Sequence, residues 1–400
     1  MKKVIPVFVI TILLFACSEK PKEKAVSVFA EDYDLVDAPV YVDFDMKFFD
    51  GDFEVCLYYG DNIISGQVEN LSGDQKRIWW LANVPKGESV TYYLRGGNEC
   101  IEKSFTWGSI SEHSSLLSYG EQPVVQYEHP VFHSDSIEET KKPFHHVYDP
   151  EKGKLITKGL GGLYPHHRGI FLGYNHVYVN DSDESFDIWH ARDGERSEHI
   201  EKIVEFSGPV MGGHIVRIHW KDKQGDPFLE ERREIRVFRQ SGGETLIDFI
   251  SILSTDQAKV RLEGDLHHAG VQFRAAQQVA DSAHLTSFVR PSDWAHLDIS
   301  TELSGEDALG LPWNAMNFVI DEMPYTVAYM SHPSNSDYSE MSERVYGRFG
   351  EFFPTEVTPE KPVTLHYRFW VKAGEKPPAS LIEGHYQAFA NLPQLTVAEK

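Results

Sequence analysis

The sequence has 400 residues, of which 41% are hydrophobic and 12% aromatic, and its formal net charge is −23 at pH 7. That length and apolar share suffice for packed cores in two or three domains. The acidic surplus argues against nucleic acid as a partner, because phosphates call for a basic surface, and three cysteines with no CxxC spacing exclude a cysteine-type zinc site.

The chain opens on an address. Lys2 and Lys3 precede an apolar run over 4–15, and Leu14-Phe-Ala-Cys17 reads as a bacterial lipobox. The run is too short for a spanning helix, which needs about 20 residues. Residues 1–17 are therefore predicted to be a lipoprotein signal peptide, cleaved before Cys17, whose thiol and new amine take lipid. Ser18 points to the outer membrane by resemblance to Gram-negative lipoproteins, and 18–28 reads as a polar tether. The only membrane contact expected is this anchor.

Residues 29–108 read as a small β-sandwich. Val40-Tyr-Val-Asp-Phe44 and Phe53-Glu-Val-Cys-Leu-Tyr-Tyr59 alternate as half-buried strands do, with turn signals at Asp50-Gly51 and Gly60-Asp61-Asn62. Trp79 and Trp80 read as core or interface. Cys56 and Cys100 either pair in an oxidising compartment or are two unrelated buried thiols. The module resembles the immunoglobulin- or fibronectin-like domains that precede catalytic domains in secreted carbohydrate enzymes.

A polar stretch at 109–122 reads as a linker into a larger β-rich region, 123–395. Strand signals recur at Val124-Val-Gln-Tyr127, Ile170-Phe-Leu-Gly-Tyr174, His214-Ile-Val-Arg-Ile-His-Trp220, Glu234-Ile-Arg-Val-Phe238, Leu246 onward, Tyr325 onward and Val363 onward. Ser241-Gly-Gly243 is a hairpin turn. Helical periodicity is convincing only over 379–390. The pattern predicts an all-β fold, a large antiparallel sandwich rather than a βαβ unit.

The chemistry concentrates in Leu163-Tyr-Pro-His-His-Arg-Gly169 and Phe186-Asp-Ile-Trp-His-Ala-Arg192. Imidazoles transfer protons near neutral pH, guanidinium binds carboxylate or sulfate, and aromatic faces stack on sugar rings. His166 and His167, adjacent on an extended segment, are expected to face opposite sides, with Arg168 on the side of His166. Asp187 is placed to orient an imidazole. The candidate catalytic residues are His166, His167, Asp187 and His190, and the candidate substrate-binding residues are Arg168, Trp189, Arg192, Arg274, His332 and Asn335. Doubled histidines also stand at 145–146 and 267–268, which suggests convergence on one cleft. Neutral imidazoles with a carboxylate also suit zinc or another divalent ion, but no HExxH helix fixes a ligand set, so the cofactor stays open. No GxSxG, P-loop or GxGxxG occurs.

These motifs resemble a bacterial family labelled PmoA-like, formally a domain of unknown function. Its pattern is matched here by Pro165 to Gly169, Asp187-Ile-Trp189, Ala269-Gly270 with Arg274, Pro312-Trp313, His332-Pro-Ser-Asn335 and Tyr367 to Glu375, over residues 123–375. Ile188 stands where the family usually has an aromatic. The label is not literal, since a methane oxygenase subunit of that name is an integral membrane protein. The resemblance instead implies a galactose-mutarotase-type sandwich and work on carbohydrates. The expectation is an envelope-anchored enzyme acting on an oligosaccharide, as a lyase next to a uronate or keto group or as a glycoside-modifying hydrolase. The alternative is a non-catalytic glycan-binding lipoprotein of an uptake system.

Overall fold

Alternation in the sequence becomes alternation of faces. In the strand Val363–Ala373, Leu365, Tyr367, Phe369 and Val371 enter one core while Trp370 enters another, so both faces are covered. A computed structural model of the chain describes residues 24–45, 54–71, 73, 75–97, 99–100 and 102–398. The signal peptide and lipobox expected at 1–17, with Cys17, lie outside the described residues. None of the described helices is long and apolar enough to cross a membrane.

The fold is all-β, and its body is a sandwich of two eight-stranded antiparallel sheets. One runs, in spatial order, through Arg196–Phe206, Met211–Lys221, Pro227–Arg239, Thr245–Ser254, Val363–Ala373, Met323–Ser331, Trp313–Ile320 and Ser287–Val289. The other runs through Glu340–Arg344, Arg348–Phe352, Ala269–Arg274, Ile170–Tyr174, Phe144–Val147, Gln122–Glu128, Ser114–Tyr119 and Phe105–Ser111. Their inner faces meet through pairs such as Phe273 with Phe369, ring centroids 6.1 Å apart, and Tyr329 with Phe349 at 6.0 Å. On the second sheet Val271 and Phe273 point into this core, so Gln272 and Arg274 must point out of it. That outer face carries the site.

The small domain is a seven-stranded sheet system around Val26, Val40, Leu57, Trp80 and Tyr92. Its boundaries differ from the expected ones. Residues 24–28, expected in the tether, belong to the strand Lys24–Phe29. That strand pairs on one side with Ser89–Gly96 and on the other with the last strand of the described chain, Gln394–Ala398. The stretch 109–122 is no linker: Phe105–Ser111 and Ser114–Tyr119 form a hairpin at the rim of the second sheet. Edge strands tolerate polar, solvent-facing residues, which is why this one reads as loop.

Cys56 and Cys100 form a disulfide with Cα atoms 5.8 Å apart. Trp79 packs against Phe238 of the sandwich at 5.9 Å, and the helix Ala379–Ala390 adds Ile382 and Phe389 to the same junction.

Candidate active site

Three loops above the outer face of the second sheet supply the site. The first, 159–168, is pinched at its base, where Gly169 N–H donates to Lys158 O and Arg274 N–H donates to Gly169 O. Gly169 has φ +44°, and a Cβ there would lie 2.0 Å from His145 O, so only glycine closes this base. The Lys158 ammonium sits inside the loop, donating to the carbonyls of Gly159, Tyr164 and His167 at 3.2–3.3 Å. The motif is therefore a turn and not a strand. Tyr164 adopts φ +53° rather than an extended entry, and the rings of His166 and His167 lie 4.2 Å apart instead of facing opposite ways.

The second loop is built on Asp187. One of its oxygens accepts from His190 N–H at 2.8 Å, and the other pairs with His190 Nδ1 at 2.7 Å. Lys141 and Lys142 donate to the carbonyls of His190 and Trp189, fixing the turn from behind. The third loop repeats the device: Asp265 accepts from His267 N–H at 2.8 Å and pairs with His268 Nδ1 at 2.9 Å. Both are Asp-x-x-His turns in which the carboxylate orients the ring and leaves Nε2 as the free nitrogen.

The loops bring four imidazoles into a row: His166, His190, His268 and His267. His166 stands 4.6 Å from His190, and His190 stands 4.9 Å from His268, centroid to centroid. His190 keeps 13% of its side chain exposed and His268 35%, so solvent reaches the row. Beneath it, His167 lies on Trp189 at 5.5 Å, and Trp189 is wholly buried against Phe144 and Phe171. At one end His267 meets Arg344 Nη2 at 2.6 Å.

Charge in the site is lopsided. Burial, and then the Lys142 ammonium and neighbouring His190, push His166 down to about 2. Burial, then His166, holds His167 well below the usual imidazole range. Lys158 is lowered to about 8 by burial, then by Arg274 and Arg168. Burial alone would raise Asp187, but the side-chain and backbone hydrogen bonds of His190 hold it below the usual carboxylate value. His166 and His167 are thus neutral rings and weak bases. The two carboxylate-backed rings are the ones whose geometry suits proton transfer.

Several expected residues sit elsewhere or do other work. Trp189 is no sugar platform, being 0% exposed. Arg168 is buried and turned away from the row, with Nη2 on Glu138 at 2.9 Å and Nε on Pro165 O. Arg192 lies exposed at the surface. His332 and Asn335 belong to the helix junction: His332 stacks on His366 at 5.0 Å and meets Phe389 at 5.3 Å, while Asn335 exchanges hydrogen bonds with the His366 backbone. Of the second histidine pair, His146 bonds Thr157 on the outer face, but His145 enters the core and bonds His214 at 2.9 Å. Asp265, Arg344, Tyr346 and Lys158 go beyond the expected set, while His268 belongs to a doubled pair expected to converge on the same place. The repeated Asp-x-x-His spacing is the signal that finds Asp265 and His268.

Among the described residues no group of three or more His, Cys, Asp or Glu is arranged to hold a metal ion. A hollow of about 540 Å³ lies elsewhere, at the junction of the two domains between Asp37, Tyr59, Asn83, Tyr119 and Arg239. Its Asp37 and Asn83 already satisfy each other, so chemistry rather than volume selects the imidazole row.

The model of the family described as "Family of unknown function (DUF6807)" matches residues 114–387, which takes in the two-sheet sandwich apart from its rim strand Phe105–Ser111, and most of the C-terminal helix. That description carries no PmoA label. No curated protein matches the chain. Among solved structures, the crystal structure of the GalM/aldose epimerase homologue from C. elegans is similar over 68% of this chain and 100% of its own, at 9% identity and a TM-score of 0.30.

Proposed function

Because the chain belongs to the DUF6807 family, described as of unknown function, we propose its function from the cleft: an enzyme that breaks a saccharide linkage by proton transfer, a lyase. The observation that carries this reading is the pair of facing Asp–His couples, Asp187–His190 and Asp265–His268, on a solvent-reached surface. The saccharide class is supported by the carbohydrate work that the PmoA-like resemblance implies. It is supported too by the half-exposed Tyr164 ring on the lip, whose face suits the C–H side of a sugar.

In this mechanism His190 Nε2 takes the proton from the carbon next to a uronate or keto carbonyl. The electron pair of that C–H bond forms a carbon–carbon double bond and expels the glycosidic oxygen from the next carbon. His268, its ring held by Asp265, gives that oxygen its proton. One proton is taken and one given, so no water is consumed. Paired-carboxylate hydrolysis fits less well, because both carboxylates are occupied in holding imidazoles.

Lipidation at Cys17 and residence at the outer membrane are part of the same proposal. Lipid-labelled precursor should lose its label in Cys17→Ala, and retention of label in that variant would remove the anchor.

The purified protein should generate the absorbance of a new unsaturated bond from uronic-acid oligosaccharides, with and without chelator. His190→Ala should lower turnover by about 10²–10⁴-fold while still binding the sugar. Full turnover in that variant overturns the mechanism. Binding without turnover in the native protein would instead make it a glycan-binding lipoprotein.

A further inference from the structure

Beneath the imidazole row lies a group of buried hydrogen-bond donors, three of them cationic side chains, that pairs with no carboxylate among the described residues. Arg274 is 0% exposed, Arg348 1% and His167 3%. Arg348 spends its donors on neutral partners: Tyr346 Oη at 3.2 Å, Gln272 Oε1 at 2.9 Å and Ser342 Oγ at 2.8 Å. Arg274 uses only Nη1, on the carbonyls of Ala275 and Tyr346. Among the described residues its Nε and Nη2 meet no acceptor, and neither ring nitrogen of His167 has a partner. Lys158 donates only to carbonyls. Buried charge of this kind is normally paired, because desolvation costs several kcal/mol per ion.

The unmatched edge of Arg274 is informative. Elsewhere in this protein the same Nε–Nη2 edge grips a carboxylate in two-point fashion, in Arg77 with Asp43, Arg233 with Glu231 and Arg368 with Asp248, at 2.6–3.0 Å. Arg274 presents that fork to no partner among the described residues.

Two tyrosines cover it. The Arg274 guanidinium lies 5.1 Å from the Tyr346 ring centroid, and Tyr164 rests on Tyr346 at 5.1 Å. Tyr164 is 44% exposed and rides on the 159–168 loop behind Gly161 and Gly162, whose φ values are +74° and +66°. Both glycines permit backbone states closed to other residues, which suits a cover that moves.

We propose that Arg274 and His167, backed by Arg348 and Lys158, form an oxyanion subsite under a Tyr164–Tyr346 cover, so that the substrate is an acidic saccharide bearing a carboxylate or sulfate. This rests on the saccharide reading above and names the group that directs the sugar to His190. In elimination next to a uronate, the same subsite stabilises the enolate that forms on the carboxylate.

Binding to the full chain is measured by calorimetry with glucuronate and galacturonate oligosaccharides, their neutral glucose and galactose counterparts, a sulfated neutral oligosaccharide, and inorganic sulfate. Acidic ligands should bind at least about tenfold more tightly than neutral ones, and Arg274→Gln should erase that preference while neutral binding stays unchanged. Uronate against sulfated ligand identifies which anion is preferred. Because Arg274→Gln is buried and can fail to fold, Tyr346→Ala is the second variant. It uncovers the fork and should speed sulfate association at unchanged secondary structure. Equal binding of acidic and neutral sugars, a preference that survives Arg274→Gln, or the absence of any anion binding overturns the subsite. Sulfate binding with no sugar bound upholds the subsite and overturns the saccharide reading instead.

Discussion

Replacing Asp187 by asparagine keeps the turn's backbone hydrogen bond but presents an amide to His190 Nδ1 in place of a carboxylate. The ring then loses the partner that fixes its tautomer, and turnover should fall by about 10²-fold with little change in sugar affinity. Asp265→Asn should act the same way through His268. Unchanged rates in both variants would mean that the pairs are only structural. Trp189 offers the converse test. It is wedged between Phe144 and Phe171 under His167, so Trp189→Ala should cost about 3–5 kcal/mol in denaturant unfolding. A sugar-stacking tryptophan would instead lose binding at unchanged stability. Residue types alone suggest stacking for Trp189, because exposure is a property of the loop that covers it.

At the scale of elements, Gly169 shows how the site depends on a single backbone position. Gly169→Ala forces a Cβ toward His145 O in a left-handed conformation and should destabilise the protein by about 2–4 kcal/mol. A loss below about 0.5 kcal/mol would mean that the loop base is soft. The sheets are legible in the sequence because buried strands must alternate or run apolar, as Val363–Ala373 and Thr245–Ser254 do, and because Ser241-Gly-Gly243 marks their hairpin partner. The helix Ala379–Ala390 is legible for the same reason of period. Half of the site is legible too, since His166, His167, Asp187 and His190 do gather. The rest is not, because local pattern carries no information on which loops close over a sheet. Nothing near Arg168 announces Glu138, and nothing near His332 announces Phe389.

For the molecule as a whole, acid is the sensitive direction. Burial holds His146, His366 and His385 near 4, and it holds His145 and His214 well below the usual range. These rings bind protons more readily unfolded, where imidazole titrates near 6.5, so acidification favours the unfolded chain. Their full contribution is present above about pH 6.5 and is lost as pH falls toward 4 and below. The pH dependence of the unfolding free energy should therefore show more than one proton taken up on unfolding in that window. A flat profile would mean that the rings are charged in place. Reduction of Cys56–Cys100, which closes 44 residues of sequence separation, should cost the small domain about 2–4 kcal/mol. The strand order of that domain has a consequence for biosynthesis. Its strand Lys24–Phe29 finds one neighbour, Ser89–Gly96, nearby in sequence, but gains the other, Gln394–Ala398, only after the whole sandwich between them has left the ribosome. A strand made early is thus completed late, and a nascent polypeptide halted between the two exposes an open seam that foreign strands can zip onto.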